Sequence, residues 1–202
     1  LQTQRATGDR RAEVQTLYHL GFLRCRLAEY EAATVQLEEA LTILGEEFDD
    51  PWALGQALNY YSWTLIELGR LSEAQTHLQE ALKTESGLHQ PATLIEAAVQ
   101  LGRVALARHD LGLARACARH ILEFINQQGP AGLEHPGLAY LTVYHTCQAT
   151  QEFTQANVVL SQARRYLELQ AAQIDDPQLR QSYLYNLAEH RQLQALVVDY
   201  PE

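Results

Sequence analysis

The chain has 202 residues, of which 47% are hydrophobic and 20% charged, a balance typical of globular proteins and unlike that of disordered segments. Its 25 acidic residues outnumber its 15 Lys and Arg, and the net charge of −10 argues against direct contact with nucleic acid, because affinity for a phosphate backbone depends on clustered basic side chains. No apolar stretch is long enough to span a membrane, and no signal peptide opens the chain.

The first residues resemble the end of one structural unit and the start of another. The sequence contains no methionine, so Leu1 is not expected to be the natural start of the protein. Residues 1–8 are interpreted as the tail of a helix that ends in a turn at Thr7-Gly8-Asp9. We therefore expect at least one more helical hairpin, and further domains of the parent protein, upstream of Leu1.

Apolar periodicity predicts helices in pairs along the rest of the chain. The connections within pairs are short, at Ala28-Glu29, Gly69-Arg70, His109-Asp110 and Gln151-Glu152, which forces the two helices to run antiparallel. Longer polar loops join the pairs and end in Pro51, Pro91, Pro136 and Pro177, which suit the first turn of a helix. The predicted helices are 10–27, 31–46, 52–68, 71–85, 92–108, 111–127, 137–150, 153–173, 177–187 and 190–198.

The pairs repeat one pattern. Ala33, Ala74, Ala114 and Ala156 stand 41, 40 and 42 residues apart, and each is expected where the two helices of a pair cross closely. Gly21 and Gly102 supply the same space on the first helix, where Ser62 and Tyr144 replace glycine in the other pairs. The residues expected to fill the core beside these crossings are Leu20, Leu23, Leu37, Leu58, Leu65, Leu78, Leu101, Val104, Leu141, Val143 and Leu160.

This pattern resembles the tetratricopeptide repeat (TPR) family, in a long-period form, with HEAT-type repeats as the structural alternative. The resemblance implies an all-α fold, a right-handed α-solenoid of antiparallel helix hairpins with a C-terminal capping helix. We expect a single array over residues 1–202. Its parts are the end of a preceding hairpin (1–8), four repeats (9–48, 49–89, 90–130 and 131–174) and a capping helix with a tail (175–202).

The closing segment resembles the tail of the TPR arrays found in large bacterial signalling proteins, on the residues Asp176-Pro177, Arg180, Asn186 and Arg191. Those proteins join a STAND-class nucleotide-binding switch domain, a cyclase or a transcription factor to a C-terminal repeat array. The resemblance implies a protein- or peptide-binding sensor region of such a regulator. A passive structural or oligomerisation scaffold without a ligand is the alternative, and a homo-oligomer is compatible with either.

In a stacked array the first helix of each hairpin lines a concave face, so side chains there are the candidate partner-binding residues. Equivalent positions hold Phe22, Trp63, Arg103 and His145, and aromatic and arginine side chains dominate recognition surfaces. Asn59 with Arg103 could anchor a peptide backbone or carboxylate. Packing against the neighbouring hairpin is the alternative for each. The full set is Tyr18, His19, Phe22, Arg26, Asn59, Tyr60, Trp63, Glu67, Gln100, Arg103, Thr142, His145 and Gln148.

Chemistry-bearing motifs are missing from the sequence. It has no GxxxxGK[ST], GxGxxG or HExxH motif, and no nucleophile has a base at a supporting spacing, so we expect no enzyme, no cofactor and no metal. Two cysteine–histidine pairs, Cys117 with His120 and His145 with Cys147, provide too few ligands for a zinc site. The three cysteines, Cys25, Cys117 and Cys147, are expected to be reduced, buried thiols in a cytoplasmic protein.

Two charged clusters are expected to be solvated. The acidic one lies at the end of the first hairpin, and a solvated loop is favoured there over a cation site. The arginines could form one local basic face, but a solvated helix surface is favoured. The clusters consist of Glu38, Glu39, Glu46, Glu47, Asp49 and Asp50, and of Arg5, Arg10, Arg11, Arg103, Arg108, Arg115 and Arg119.

Overall fold

The computed structural model describes residues 1–85 and 91–197 and divides the chain into two compact units, Leu1–Val104 and Ala105–Glu202. The described residues form helices, turns and loops, with no strand among them. Within these residues, no helix is long and apolar enough to cross a membrane. The predicted helix bounds agree to within a few residues, while predicted features at 86–90 and beyond 197 lie outside the described residues.

The helices of the first unit are α1 (Gln2–Thr7), α2 (Arg10–Arg26), α3 (Tyr30–Glu47), α4 (Pro51–Glu67), α5 (Leu71–Glu85) and α6 (Pro91–Ala107), which extends past the unit boundary. α2 packs on α3 and α4 packs on α5, while α4 also lies against both α2 and α3. The predicted helix tail at the start of the chain corresponds to α1, which packs on α2.

The helices of the second unit are α7 (Leu111–Gln128), α8 (Pro136–Ala149), α9 (Phe153–Ala171), α10 (Pro177–Tyr185) and α11 (Ala188–Ala195). A short 3₁₀ turn at Pro130–Gly132, which was not predicted, precedes α8. α7 packs on α8, α8 packs on α9, and α10 and α11 cover this last pair.

Aspartate side chains cap the N-termini of several helices. The Asp50 carboxylate accepts a hydrogen bond from the Ala53 backbone N–H at 3.1 Å, and proline follows it at the first helical position. Asp176 accepts from two backbone N–H groups at the start of α10, at 2.7 and 3.1 Å. Asp9 and Asp110 cap α2 and α7 in the same way. These caps satisfy amide groups that have no partner within the helix.

The four predicted turns within pairs share one backbone geometry. Ala28, Gly69, His109 and Gln151 all have positive φ, between 58° and 74°. At each turn the following residue donates its backbone N–H to a carbonyl five residues earlier, as Arg70 does to Leu65 at 2.8 Å. This is the Schellman arrangement, which ends a helix and satisfies its last carbonyls.

The small residues lie at the helix crossings, as the repeat pattern predicts. Ala33, Ala74, Ala114 and Ala156 are all fully buried. A Cβ atom built on Gly21 would lie 2.5 Å from Cγ of Leu37 on α3, so the α2–α3 crossing has no room for a side chain there. Two predicted core residues are wrong: Leu23 is 56% exposed and Leu20 is only partly buried, because both lie on a face of α2 that the described helices leave uncovered.

The predicted capping segment closes the second unit through a tight contact. A Cβ atom on Gly137 of α8 would lie 2.5 Å from Cδ2 of His190, which shows how closely α11 approaches α8. The Arg164 guanidinium of α9 donates to the carbonyls of Leu193, at 3.0 Å, and Gln194, at 3.1 Å, near the end of α11. A cation at a helix C-terminus also opposes the helix dipole favourably.

Candidate partner-binding face

The predicted groove residues of the first unit form a continuous row across α2 and α4. The Phe22 and Tyr60 rings stack with centroids 4.3 Å apart, and Phe22 meets Trp63 edge-on at 5.4 Å. Tyr18 lies 6.1 Å from Tyr60 at the other end of the row. These separations lie in or just below the range of favourable aromatic pairs, so the row contributes to the packing of α2 on α4.

Two arginines flank the tryptophan. The guanidinium carbons of Arg26 and Arg103 lie 5.1 and 5.2 Å from the Trp63 ring centroid, within the range of cation–π attraction. Arg103 also pairs with Glu67 at 2.6 Å and donates to the Gln100 side chain at 2.7 Å. The Arg103 guanidinium is therefore held by three groups from α4 and α6.

Burial divides the predicted set. Tyr18, Tyr60, Trp63, Asn59 and Gln100 are each at most 6% exposed, and Phe22 is 9% exposed. These side chains pack between neighbouring helices, which is the alternative that the sequence also allowed. Their large side chains fill the space between adjacent first helices. They do not form an open aromatic surface. The members that reach solvent in this unit are His19, Arg26, Glu67 and Arg103.

The two buried amide side chains of the predicted set differ in their hydrogen bonding. Asn59 is 6% exposed, and its Oδ1 has no hydrogen-bond partner among the described residues. Gln100 is 1% exposed and is used to hold Arg103. The anchoring of a peptide by Asn59 together with Arg103 stays a prediction. Because the Asn59 amide is buried, Arg103 is the more accessible of the two side chains.

In the second unit, the predicted residues lie on α8. Thr142 is buried, and its hydroxyl donates to the Leu138 carbonyl at 2.9 Å, so it serves the helix itself. His145 is exposed, and its ring lies edge-on to Tyr144 at 5.5 Å. Gln148 donates to the Tyr144 hydroxyl at 3.1 Å. His145 is the most accessible of the three.

Three arginines near the start of the chain pair with members of the acidic cluster, and the paired side chains still reach solvent. Arg5 and Arg10 bind the buried carboxylate of Glu13 at 2.7 and 2.8 Å. Arg5 also pairs with Glu39, and Arg10 pairs with Glu47. The partners across helices stand about one repeat period apart in the sequence, a signal that could have predicted these pairs.

Two further acidic side chains of that cluster, Asp50 and Glu38, also have structural roles. Asp50 pairs with Arg11 at 3.2 Å in addition to capping α4. Glu38 accepts a hydrogen bond from the Tyr61 hydroxyl at 2.6 Å. Burial, followed by this carboxylate, raises the pKa of Tyr61 to about 12. No group of three or more His, Cys, Asp or Glu in the described part of the chain is arranged to hold a metal ion.

The three cysteines are buried and unpaired as disulfides. Burial raises the pKa of Cys117 and of Cys147 to about 11, and it also raises that of Cys25. Since the thiolate is the reactive form, these thiols are protonated and inert near neutral pH.

A cleft of about 840 Å³ in the second unit was missed by the sequence reasoning. It lies between α7 and the turn that joins α8 to α9, and the Arg115–Glu152 ion pair of 2.9 Å joins its two sides. Arg119, Glu123 and Phe153 are among its lining residues. Its mixture of charges carries no specific ligand signature.

Comparison with known families supports the repeat interpretation. Residues 12–84 match the family model described as Tetratricopeptide repeat. This segment is TPR-like. The match covers α2 through most of α5, and the all-α helical-repeat fold is confirmed. No curated protein matches the chain. TPR repeats generally mediate protein–protein interactions and are typically non-catalytic.

Proposed function

We propose that this chain binds a protein or peptide through the rim formed by Arg26, Glu67 and Arg103. The observation that carries the proposal is the arrangement of the two arginines around Trp63, with Arg103 held in place by Glu67 and Gln100. A guanidinium that is already oriented loses little conformational freedom on binding. Arginine forks suit carboxylates, so an acidic peptide segment is the expected ligand chemistry.

The wider role is a sensor region of a larger bacterial signalling or transcription-regulatory protein in the cytoplasm. Its support is the resemblance of the closing segment, where Asp176 caps α10, Arg180 donates to the Ile174 carbonyl and Asn186 donates to Ser182. These are the residues that carry the likeness to the tails of such arrays. The division into four repeats at 9–48, 49–89, 90–130 and 131–174 belongs to the same proposal.

The test is a selection of peptides displayed on phage against the whole chain, followed by affinity measurements with variants. Arg103→Ala and Arg26→Ala should each weaken the selected acidic peptides at least ~10-fold, which corresponds to ~1.4 kcal/mol. Trp63→Ala is a poor probe, because a 5% exposed tryptophan leaves a cavity when it is truncated.

Two matched controls locate the site. Arg165→Ala alters an exposed arginine on α9 and should leave the affinity unchanged. Arg119→Ala alters the cleft of the second unit. Peptides that lose affinity with Arg119→Ala and not with Arg103→Ala would refute the rim and assign binding to the cleft. Selection of no peptide, together with self-association in ultracentrifugation, would favour the passive scaffold.

A further inference from the structure

The cleft of the second unit has a floor of smaller side chains than the equivalent places elsewhere in the chain. Its buried lining residues include Ala118 and Cys147. Four residues after their crossing alanine, where this hairpin has Ala118, the other three hairpins have fully buried leucines, Leu37, Leu78 and Leu160. Cys147 stands four residues before the left-handed residue of its turn, where the second hairpin has the fully buried Leu65. One turn earlier, Val143 stands where that hairpin has Tyr61.

In the first unit a tyrosine ring fills the equivalent place. Tyr61 is 5% exposed, and its hydroxyl donates to Glu38 of α3 at 2.6 Å. The Arg70 guanidinium, just before α5, interacts with the same hydroxyl. The repeat spacing puts Arg119 at the position of Glu38 and Glu152 at that of Arg70, and both line the cleft. The repeat therefore holds an aromatic ring with a polar group at its end where the second unit is open.

The walls of the cleft carry charges opposite to those of their equivalents in the first unit. Arg115 is paired with Glu152, whereas Arg119 has no ion-pair partner among the residues that the structure describes. Glu123 follows one turn later on α7, so an anion is favoured at the end of this wall that carries the two arginines. On the other wall Phe153 is 40% exposed, which leaves its ring available to a second aromatic group.

We infer that this cleft binds a small aromatic carboxylate. The ring lies over Ala118 and Cys147, and the carboxylate accepts hydrogen bonds from Arg119. The cleft volume of about 840 Å³ is in the range of small-molecule pockets. Burial of the ring contributes the apolar part of the affinity, and the arginine fork contributes a directed contact. The inference does not depend on the arginine rim, because all of these residues belong to the second unit.

The test is a titration of the ¹⁵N-labelled full chain with benzoate, followed by NMR of the backbone amides. We expect saturable shifts confined to α7, the end of α8 and the start of α9. Butyrate, which has no ring, and benzylamine, which has the opposite charge, should bind at least ~10-fold more weakly. A benzoate titration that does not saturate by ~50 mM would overturn the proposal. Shifts in other helices instead, or equal affinity for benzoate and butyrate, would also overturn it.

Charge reversal tests the contact with the carboxylate. Arg119→Glu introduces the side chain that the first unit has at this position. It should weaken benzoate binding at least ~10-fold and make benzylamine the better ligand. Arg119 is exposed, so the stability should change little. Arg165→Glu makes the same change on an exposed arginine of α9 outside the cleft and should leave both affinities unaltered. Equal effects of the two substitutions would refute the contact.

Filling the floor tests the position of the ring. The double variant Ala118→Leu with Cys147→Leu introduces side chains that the other hairpins accommodate at these places. It should abolish benzoate binding without lowering the thermal midpoint. Retained binding would refute the position of the ring. A double variant that fails to fold would also overturn the proposal, because the floor would then lack the space that a ring needs.

Discussion

Three non-glycine residues adopt the left-handed conformation at the ends of first helices, where the second hairpin has Gly69. Ala28, His109 and Gln151 have φ of 61°, 58° and 61°. A side chain in this region costs ~1–2 kcal/mol, and glycine, which avoids that cost, loses ~0.5–1 kcal/mol more in chain entropy on folding. The Schellman hydrogen bonds of each turn hold the strained residue in place.

Glycine at these positions should therefore stabilise the protein. We expect Ala28→Gly, His109→Gly and Gln151→Gly each to raise the free energy of unfolding by ~0.5–1 kcal/mol, measured by urea denaturation. The reverse change, Gly69→Ala, should lower it by ~1 kcal/mol. Ala32→Gly, inside α3, is the control and should destabilise. A loss of stability at all three turn positions would contradict the strain.

A buried carboxylate makes the start of the chain sensitive to acid. The hydrogen bond from Arg5 is the main cause that holds the pKa of Glu13 below its usual value; burial opposes it and Arg10 assists it. Because the native pKa lies below that of the unfolded chain, the ionised group stabilises the fold above ~pH 4.3, the ordinary glutamate pKa. That contribution is lost as the pH falls through the native pKa.

Glu13→Gln should consequently be less stable than the wild type at pH 7, and the difference should shrink below ~pH 4. Thermal melts followed by circular dichroism at several pH values measure this difference. The exposed Glu31→Gln serves as the control and should change stability little at either pH. A gap between wild type and Glu13→Gln that stays constant from pH 7 to pH 3 would rule out the linkage.

At the scale of the elements, replacing either of two glycines of the first hairpin by alanine is expected to change the stability in opposite directions. Gly21 lies at the crossing of α2 on α3, where a Cβ atom would meet the fully buried Leu37 at 2.5 Å. Gly45 lies in α3 with nothing within 4 Å of such an atom and no positive φ. Gly21→Ala should overpack the crossing and cost ~1–3 kcal/mol. Gly45→Ala should stabilise the helix by ~0.5–1 kcal/mol.

Urea denaturation of both variants measures this contrast. Because both carry the same Gly→Ala change, each variant serves as the control for the other. Equal shifts in the free energy of unfolding would show that α2 and α3 do not cross closely at Gly21. The crossing alanines follow the same reasoning, and Ala74→Leu should also cost ~1–3 kcal/mol, because Ala74 is fully buried.

Across the whole molecule, the sequence predicts the features that depend only on residues close together in the chain. Helix starts follow from Asp50-Pro51 and Asp176-Pro177, and the turns follow from the break in apolar periodicity at Gly69 and its equivalents. Such signals require only a few neighbouring residues, so the helices, the turns and the capping segment could all be predicted.

The accessibility of the candidate site could not be predicted in the same way. Trp63 and Tyr60 are of the residue types that dominate recognition surfaces, yet both are buried, because they pack against Phe22 where α4 lies on α2. Leu23 has the spacing of a core residue but lies on the uncovered side of its helix. Exposure depends on which helix lies opposite, which a repeat pattern describes only for its average member.

The shared Schellman geometry also determines where the chain can change length. Within a pair, the helix end, the left-handed residue and the next helix start are tied by hydrogen bonds of defined span, such as Arg70 to Leu65 and Glu152 to Cys147. An inserted residue there would break them. The spacings of 41, 40 and 42 residues between crossing alanines must therefore arise outside these turns. Insertions and deletions should be tolerated in the loops between hairpins, such as 129–135, where evolution or an engineer can lengthen the protein without disturbing a crossing.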